Sequence, residues 1–138
     1  MRLVLDTNVV VSALLWDGTP EQLIDLAGEG AVELVSSAAL LAELTGLLER
    51  PKLAAKLARN GQSAAEILAR YSELAELIEA PAVEAARLRD PDDAAVLACA
   101  IAARAEAIVS GDKDLQTLGT YQDIPILSPA QCLQRLGK

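Results

Sequence analysis

The sequence predicts an α/β protein in which helices cover both faces of a parallel sheet. Short aliphatic runs without a helical period alternate with segments that carry helix-start signals. Strands that alternate with helices are joined by right-handed crossovers, which place the helices against the sheet. The 138 residues, 52% of them hydrophobic, suffice for one substantial core. We therefore expect residues 1–138 to form a single α/β domain.

The strands are predicted from β-branched and aliphatic runs that turn residues interrupt. These runs cover residues 2–6, 32–35, 107–110 and 124–127. Residues 77–80 are a further candidate strand, although a helix fits them as well. Residues 81–89 are ambiguous, with some extended structure expected.

The helices are predicted from their caps. Thr19, followed by Pro20 and by Gln22, is typical of an N-cap, and that helix should end at Gly28. Capping boxes at residues 63–66 and 128–131 predict a helix reaching toward residue 77 and a last helix. Further helices are expected at residues 9–16, 36–49, 51–60 and 94–103.

Composition restricts the chemistry and the location of the protein. Histidine is absent, which removes the usual acid–base side chain and the commonest ligand of zinc. No apolar stretch reaches the roughly 18 residues of a membrane span. No signal peptide is recognisable, and both cysteines lie among apolar residues, as expected for reduced thiols. We expect a cytoplasmic protein without a membrane segment.

Four acidic residues occupy positions where apolar residues are expected. Asp6 and Asp112 follow aliphatic strands, Glu43 lies on the apolar stripe of a helix, and Asp93 opens an apolar helix. A carboxylate in such a place is costly unless it is compensated, and a hard cation such as Mg²⁺ takes oxygen ligands. The alternatives are caps or turns for the aspartates, and for Glu43 a side chain that reaches solvent at the edge of the core.

Neighbours of these acids supply further polar groups. We expect Asp92 to cap the apolar helix and Asp93 to face inward. Asp114 competes with Asp112 as the second acid of its segment, and Lys113 between them could neutralise them or contact a phosphate. Small hydrogen-bonding side chains stand beside the acids, where turn formation explains them equally well; they are Thr7, Asn8 and Ser110.

The net charge of −8 argues against non-specific binding of nucleic acid. The charge is unevenly distributed, however. Residues 50–59 contain no acid and four cations, which form a possible RNA-binding segment: Arg50, Lys52, Lys56 and Arg59.

In order and spacing, these motifs resemble PIN-domain nucleases over nearly the whole chain. The opening run Leu-Asp-Thr-Asn-Val at residues 5–9 resembles the family's first motif, and Glu43 matches its second acid. Asp93 and Asp112 match the third and fourth acids. The closing segment at residues 124–129 is similar to the family's last strand and helix.

The resemblance implies a three-layer α/β/α sandwich with a short central parallel sheet. It implies that Asp6, Glu43, Asp93 and Asp112 bind Mg²⁺ or Mn²⁺ and hydrolyse RNA. It further implies the toxin of a bacterial toxin–antitoxin pair, related to the VapC toxins, with a cognate antitoxin and a homodimeric state.

Metal-assisted attack by water is the mechanism we expect, because a route through the 2′-hydroxyl would usually need histidine. Three alternatives remain. One is phosphoryl transfer through an aspartyl nucleophile at Asp6, which would usually require a second acid at the position of Asn8. Another is a receiver-type signalling module, for which the acids are wrongly distributed. A catalytically degenerate PIN fold could instead bind RNA or protein.

Overall fold

A computed structural model describes residues 1–16, 18–80 and 91–137 of the chain. Within these ranges the protein contains six strands and eight helices. In chain order they are β1 (Arg2–Leu5), α1 (Thr7–Leu15), α2 (Thr19–Gly28), β2 (Glu33–Ser37), α3 (Ala38–Leu48), α4 (Pro51–Arg59), α5 (Ala64–Leu74), β3 (Ala75–Ile78), α6 (Pro91–Ala103), β4 (Ala107–Val109), α7 (Lys113–Leu118), β5 (Thr120–Tyr121), β6 (Ile124–Leu127) and α8 (Pro129–Arg135).

The strands form one sheet in the order β3-β2-β1-β4-β6-β5. All neighbours are parallel except the short β5, which pairs antiparallel with β6. Strand β1 lies in the interior, and its neighbours are β2 on one side and β4 on the other. The chain proceeds outward from β1 to β3 and then returns across β1 to β4. This reversal places the switch point of the sheet between β1 and β4, where ligands bind in open α/β sheets.

Alternating residues of the strands pack into two separate hydrophobic cores. Leu3 and Leu5 of β1 belong to a cluster that includes residues of α1, α2, α3, α5 and α8. Val4 belongs to a second cluster, built mainly with α6 and completed by Leu115 of α7. Because successive side chains of a strand point to opposite faces, the helices form two layers around the sheet. The predicted α/β/α sandwich is confirmed.

Several predicted boundaries are wrong. Helix α2 begins at Thr19 with Gly18 as its N-cap, because Gly18 adopts a φ of 136° that lets the chain enter the helix one residue earlier. Helix α5 ends at Leu74, since pairing with β2 extends residues 75–78 as β3 despite their helical propensity. Helix α6 begins at Pro91, three residues before its predicted start, so the backbone of Asp92 is already helical.

Two short elements were not predicted, namely α7 and β5. The ambiguous residues 81–89 lie outside the described ranges. None of the helices in the described part of the chain is long and apolar enough to span a bilayer.

Candidate functional site

Asp6 is a buried carboxylate at the carboxyl end of the central strand. Its backbone N–H donates to the carbonyl of Val109 at 2.9 Å, which extends the pairing of β1 with β4 by one residue. The side chain is only 5% exposed and makes no capping bond to α1. Instead, its Oδ2 accepts a 2.8 Å hydrogen bond from the Ser110 hydroxyl. Asp6 thus occupies the N-cap position of α1, while its side chain binds the hydroxyl of Ser110.

Burial raises the pKa of Asp6 above its ordinary value, and the negative charge of Asp112 raises it further. The hydrogen bond from Ser110 acts in the opposite direction and only partly offsets the burial. The surroundings thus disfavour the ionised carboxylate. A nearby cation would reverse this balance, because it stabilises the charged form.

Ser110 connects Asp6 to Asp112. Its hydroxyl, which is fully buried, donates to Asp6 and accepts the backbone N–H of Asp112 at 2.9 Å. Asp112 is half-buried and caps α7, with Oδ1 accepting the N–H groups of Asp114 at 2.7 Å and Leu115 at 3.2 Å. Asp114 is exposed in the first turn of α7. Of the two competing acids, Asp112 is the one linked to Asp6.

Glu43 reaches the same region through Thr7. Thr7 is the first residue of α1 and is 2% exposed. Its hydroxyl donates to Oε1 of Glu43, which projects half-buried from α3. Since Thr7 follows Asp6 directly, the hydrogen bond brings Glu43 beside the end of β1.

Asp93 lies in the first turn of α6 and is 3% exposed, in agreement with its predicted inward orientation. Helix α6 connects β3 to the parallel strand β4 and therefore returns from the carboxyl edge of the sheet to its amino edge. The first turn of α6 consequently lies at the edge where Asp6 and Asp112 stand.

The four acids share this edge of the sheet. Among the residues that the structure describes, no three Asp, Glu, Cys or His side chains stand close enough together to hold a metal ion. Hydroxyl groups contact the acids at both connections, Ser110 between Asp6 and Asp112, and Thr7 at Glu43. The donors are all oxygen atoms, and this chemistry fits a hard divalent cation such as Mg²⁺ or Mn²⁺.

A cleft of about 380 Å³ adjoins these acids. The exposed Asn8 and the half-buried Asp112 contribute to its wall. The remaining lining residues come from α1, the start of α2, the turn after β4 and the start of α8; they are Val9, Ser12, Pro20, Gly111 and Pro129. A substrate that enters the cleft would reach the Asp112 side of the acidic edge.

The predicted basic residues occupy two places. Arg50, Lys52 and Arg59 are exposed along α4, and Lys56 is half-buried there. Lys113 is exposed on α7, next to Asp112.

Trp16, which no motif of the sequence singles out, follows α1 and is 45% exposed beside Lys56. The available signal was the position of this tryptophan at the end of an apolar helix, shortly before Gly18. Side chains at the point where a helix passes into a turn are often exposed.

The fold is similar to that in the crystal structure of VapBC2 from Rickettsia felis bound to a DNA fragment from their promoter. The TM-score is 0.65, with 18% sequence identity over 93% of this chain and 98% of that chain. At this identity the similarity concerns the fold.

No curated protein matches the chain significantly. A family model described as PIN domain matches residues 2–114, which include Asp6, Glu43, Asp93 and Asp112. This match spans most of the sequence, and the chain therefore belongs to the PIN domain family.

Proposed function

We propose that the protein is a metal-dependent endoribonuclease that hydrolyses phosphodiester bonds of RNA. The observation that carries the proposal is the chain of contacts from Asp6 through Ser110 to Asp112 at the switch point of the sheet. Burial that raises the pKa of a carboxylate does not stabilise the fold, whereas it is compatible with a carboxylate that binds a cation. PIN domains are generally nucleases, and membership of the family supports this assignment.

In this proposal, Asp6, Glu43, Asp93 and Asp112 hold Mg²⁺ or Mn²⁺. A bound cation of this kind lowers the pKa of water and stabilises negative charge on the scissile phosphate. The chain contains no histidine to abstract a proton from a 2′-hydroxyl. We therefore infer hydrolysis by water, with products that carry a 5′-phosphate and a 3′-hydroxyl.

The hydroxyl groups orient the acids. Ser110 donates to Oδ2 of Asp6 and fixes the direction of that carboxylate, while Thr7 does the same for Oε1 of Glu43. Groups of this kind typically change metal affinity or activity about 10- to 100-fold when they are removed. Asn8 faces the adjoining cleft and would contact the RNA there. Asp114 would have a supporting role next to Asp112.

We further propose that the protein is the toxin of a toxin–antitoxin pair, restrained by a cognate antitoxin. The similar fold in VapBC2 of Rickettsia felis supports this role. A homodimer, a single domain over residues 1–138 and a cytoplasmic location, where RNA is available, belong to the same proposal.

A second function is a PIN fold that binds RNA or protein without cutting. The cations exposed along α4 favour this alternative, because they offer a surface for RNA that does not depend on the acids.

The deciding experiment is cleavage of a mixed RNA pool by the purified protein with Mn²⁺, with EDTA, and as Asp6→Asn. We expect cutting only with Mn²⁺ and wild-type Asp6, and sequencing of the ends should reveal 5′-phosphates. Asp25→Asn is the matched control, since Asp25 is an exposed carboxylate on α2. Cutting that survives EDTA and Asp6→Asn would contradict the mechanism. Metal binding without cutting of any RNA would favour the binding protein.

A further inference from the structure

Trp16 is an exposed aromatic residue beside a basic helix. Its side chain follows the last turn of α1 and is 45% exposed. The ammonium group of Lys56, on α4, lies 4.8 Å from the centroid of the ring, a distance typical of a cation–π contact. The structure thus brings an accessible indole and a cation together on one surface.

The packing of the core does not explain why the side chain of Trp16 is exposed. The chain has one Trp, two Tyr and no Phe, so large aromatic side chains are scarce for building the core. Tyr71 is 2% exposed in one core, and Tyr121 packs partly buried against the other. Trp16 is the most exposed of the three aromatic side chains, and an exposed apolar surface gains from a partner.

The charge of α4, which lies beside Trp16, is opposite to the net charge of the chain. The protein carries a net charge of −8, yet residues 50–59 contain four cations and no acid. Leu57 is buried and anchors α4 to the protein, while Arg50, Lys52 and Arg59 remain exposed. On an acidic protein, such a local positive surface complements a polyanion.

We infer that Trp16 stacks against an unpaired base of single-stranded RNA, while Lys56 and the exposed cations of α4 bind its phosphates. Aromatic side chains joined to a basic surface bind single strands in this way, because every base offers a π face. Trp16 and Asp6 flank the nine-residue α1, which is about 14 Å long. RNA held at Trp16 thus passes within a few nucleotides of the acids. The choice of RNA as the ligand rests on the proposed function.

The test uses the single tryptophan as its own reporter. Asp6→Asn protein in EDTA, which should leave RNA intact, is titrated with a short mixed-sequence single strand. We expect quenching of the Trp16 fluorescence, and none with a duplex of the same sequence, since its bases are already stacked. In anisotropy measurements with labelled RNA, Trp16→Leu should weaken binding by about fivefold or more. Leu77→Ala, at another exposed apolar side chain, is the control and should leave binding unchanged.

Salt dependence tests the role of the cations separately. Each ion pair between a cation and a phosphate adds about 0.7 to the steepness with which log affinity falls against log salt for a single strand. Lys56→Ala should therefore make this dependence shallower by about that amount. Arg70→Ala, which removes an exposed cation of α5, should leave it unchanged.

Failure of this inference and failure of the nuclease proposal give different results. If the protein binds single-stranded RNA with unchanged Trp16 fluorescence, and Trp16→Leu binds equally well, the stacking role is overturned while cleavage remains possible. Quenching by RNA without cleavage by the wild-type protein would support the RNA surface and reject the nuclease. Quenching by polyglutamate but not by RNA would mean that an acidic protein segment docks here, and would overturn the inference.

Discussion

At the scale of single residues, Asp6 lies in surroundings that oppose the ionisation of its carboxyl group. Burial and the charge of Asp112 both favour the protonated carboxyl group, and hydrogen bonds, the strongest of them from Ser110, partly offset this. The folded protein therefore disfavours the ionised form of Asp6 relative to the unfolded chain. A cation bound at Asp6, as proposed above, would reverse this effect.

Asp6→Asn should make the metal-free protein more stable at neutral pH. The folded-state pKa of Asp6 is raised, so its ionised form destabilises the fold above that pKa, and the penalty disappears below the unfolded value near 3.8. The substitution should raise Tm by a few degrees at pH 7 and by less at pH 4, since about 1 kcal/mol shifts Tm by roughly 4 °C in a protein of this size. Thermal unfolding in EDTA at pH 7 and at pH 4 measures both shifts of Tm.

Asp25→Asn, which neutralises an exposed carboxylate of α2, is the control for a general effect of charge and should change Tm little. A lower Tm for Asp6→Asn at pH 7 would mean that the carboxylate stabilises the metal-free fold.

The sequence was informative about which acids lie at the edge of the sheet and less so about their contacts. Asp6 and Asp112 could be identified because each ends an aliphatic run, and parallel strands end at a common edge. The hydrogen bond between Ser110 and Asp6 depends on the register of β1 against β4, which no local pattern determines. Trp16 could not be interpreted, because its surface exists only once α4 packs near the end of α1.

At the scale of elements, α7 depends on Asp112. The helix has six residues, and its N-cap accepts the N–H groups of Asp114 and Leu115. Asp112 thus combines a structural role with its candidate role as a metal ligand, and substitutions can separate the two.

Asp112→Ala should cost about 1 kcal/mol of stability relative to Asp112→Asn, because asparagine caps a helix as well as aspartate does. Both variants lose the charge that raises the pKa of Asp6, so that effect cancels in the comparison. Mn²⁺ affinity should fall in both. Urea unfolding and Mn²⁺ titration measure the two roles. Equal loss of stability in both variants would contradict the capping role.

Local signals predicted elements best where a side chain completes a cap. Ser63 accepts the N–H of Glu66, and Ser128 forms a complete capping box with Gln131, as predicted. The prediction failed at Thr19, where the unusual backbone of Gly18 decides the start, and near Leu77, where strand pairing overrides helical propensity. The brief α7 and β5 contain too few residues for a periodic pattern.

At the scale of the whole molecule, the fold class was predictable because strands and helices alternate through most of the sequence. The order of the strands was not, since nothing local states that β4 returns to pair with β1. That return assembles the acidic edge and concentrates negative charge at one end of a protein whose net charge is already −8.

Mn²⁺ should therefore raise Tm of the wild-type protein beyond the effect of general ionic screening. Ligand linkage gives about 2.7 kcal/mol at 100 times Kd. KCl at matched ionic strength is the control, and the difference between the two salts should vanish in Asp6→Asn. Identical shifts in KCl and MnCl₂ would contradict a specific cation site.

The hydrogen bond between Ser110 and Asp6 also limits when the acidic edge can form during synthesis of the chain. Its partners are 104 residues apart in sequence, although they touch in the fold. At translation rates of about 5–20 residues per second, Asp6 waits roughly 5–20 seconds for Ser110 to be made. The central strand β1 stays without its β4 neighbour throughout that interval. A nascent chain still attached to the ribosome thus lacks an assembled acidic edge until the segment that carries Ser110 has been translated.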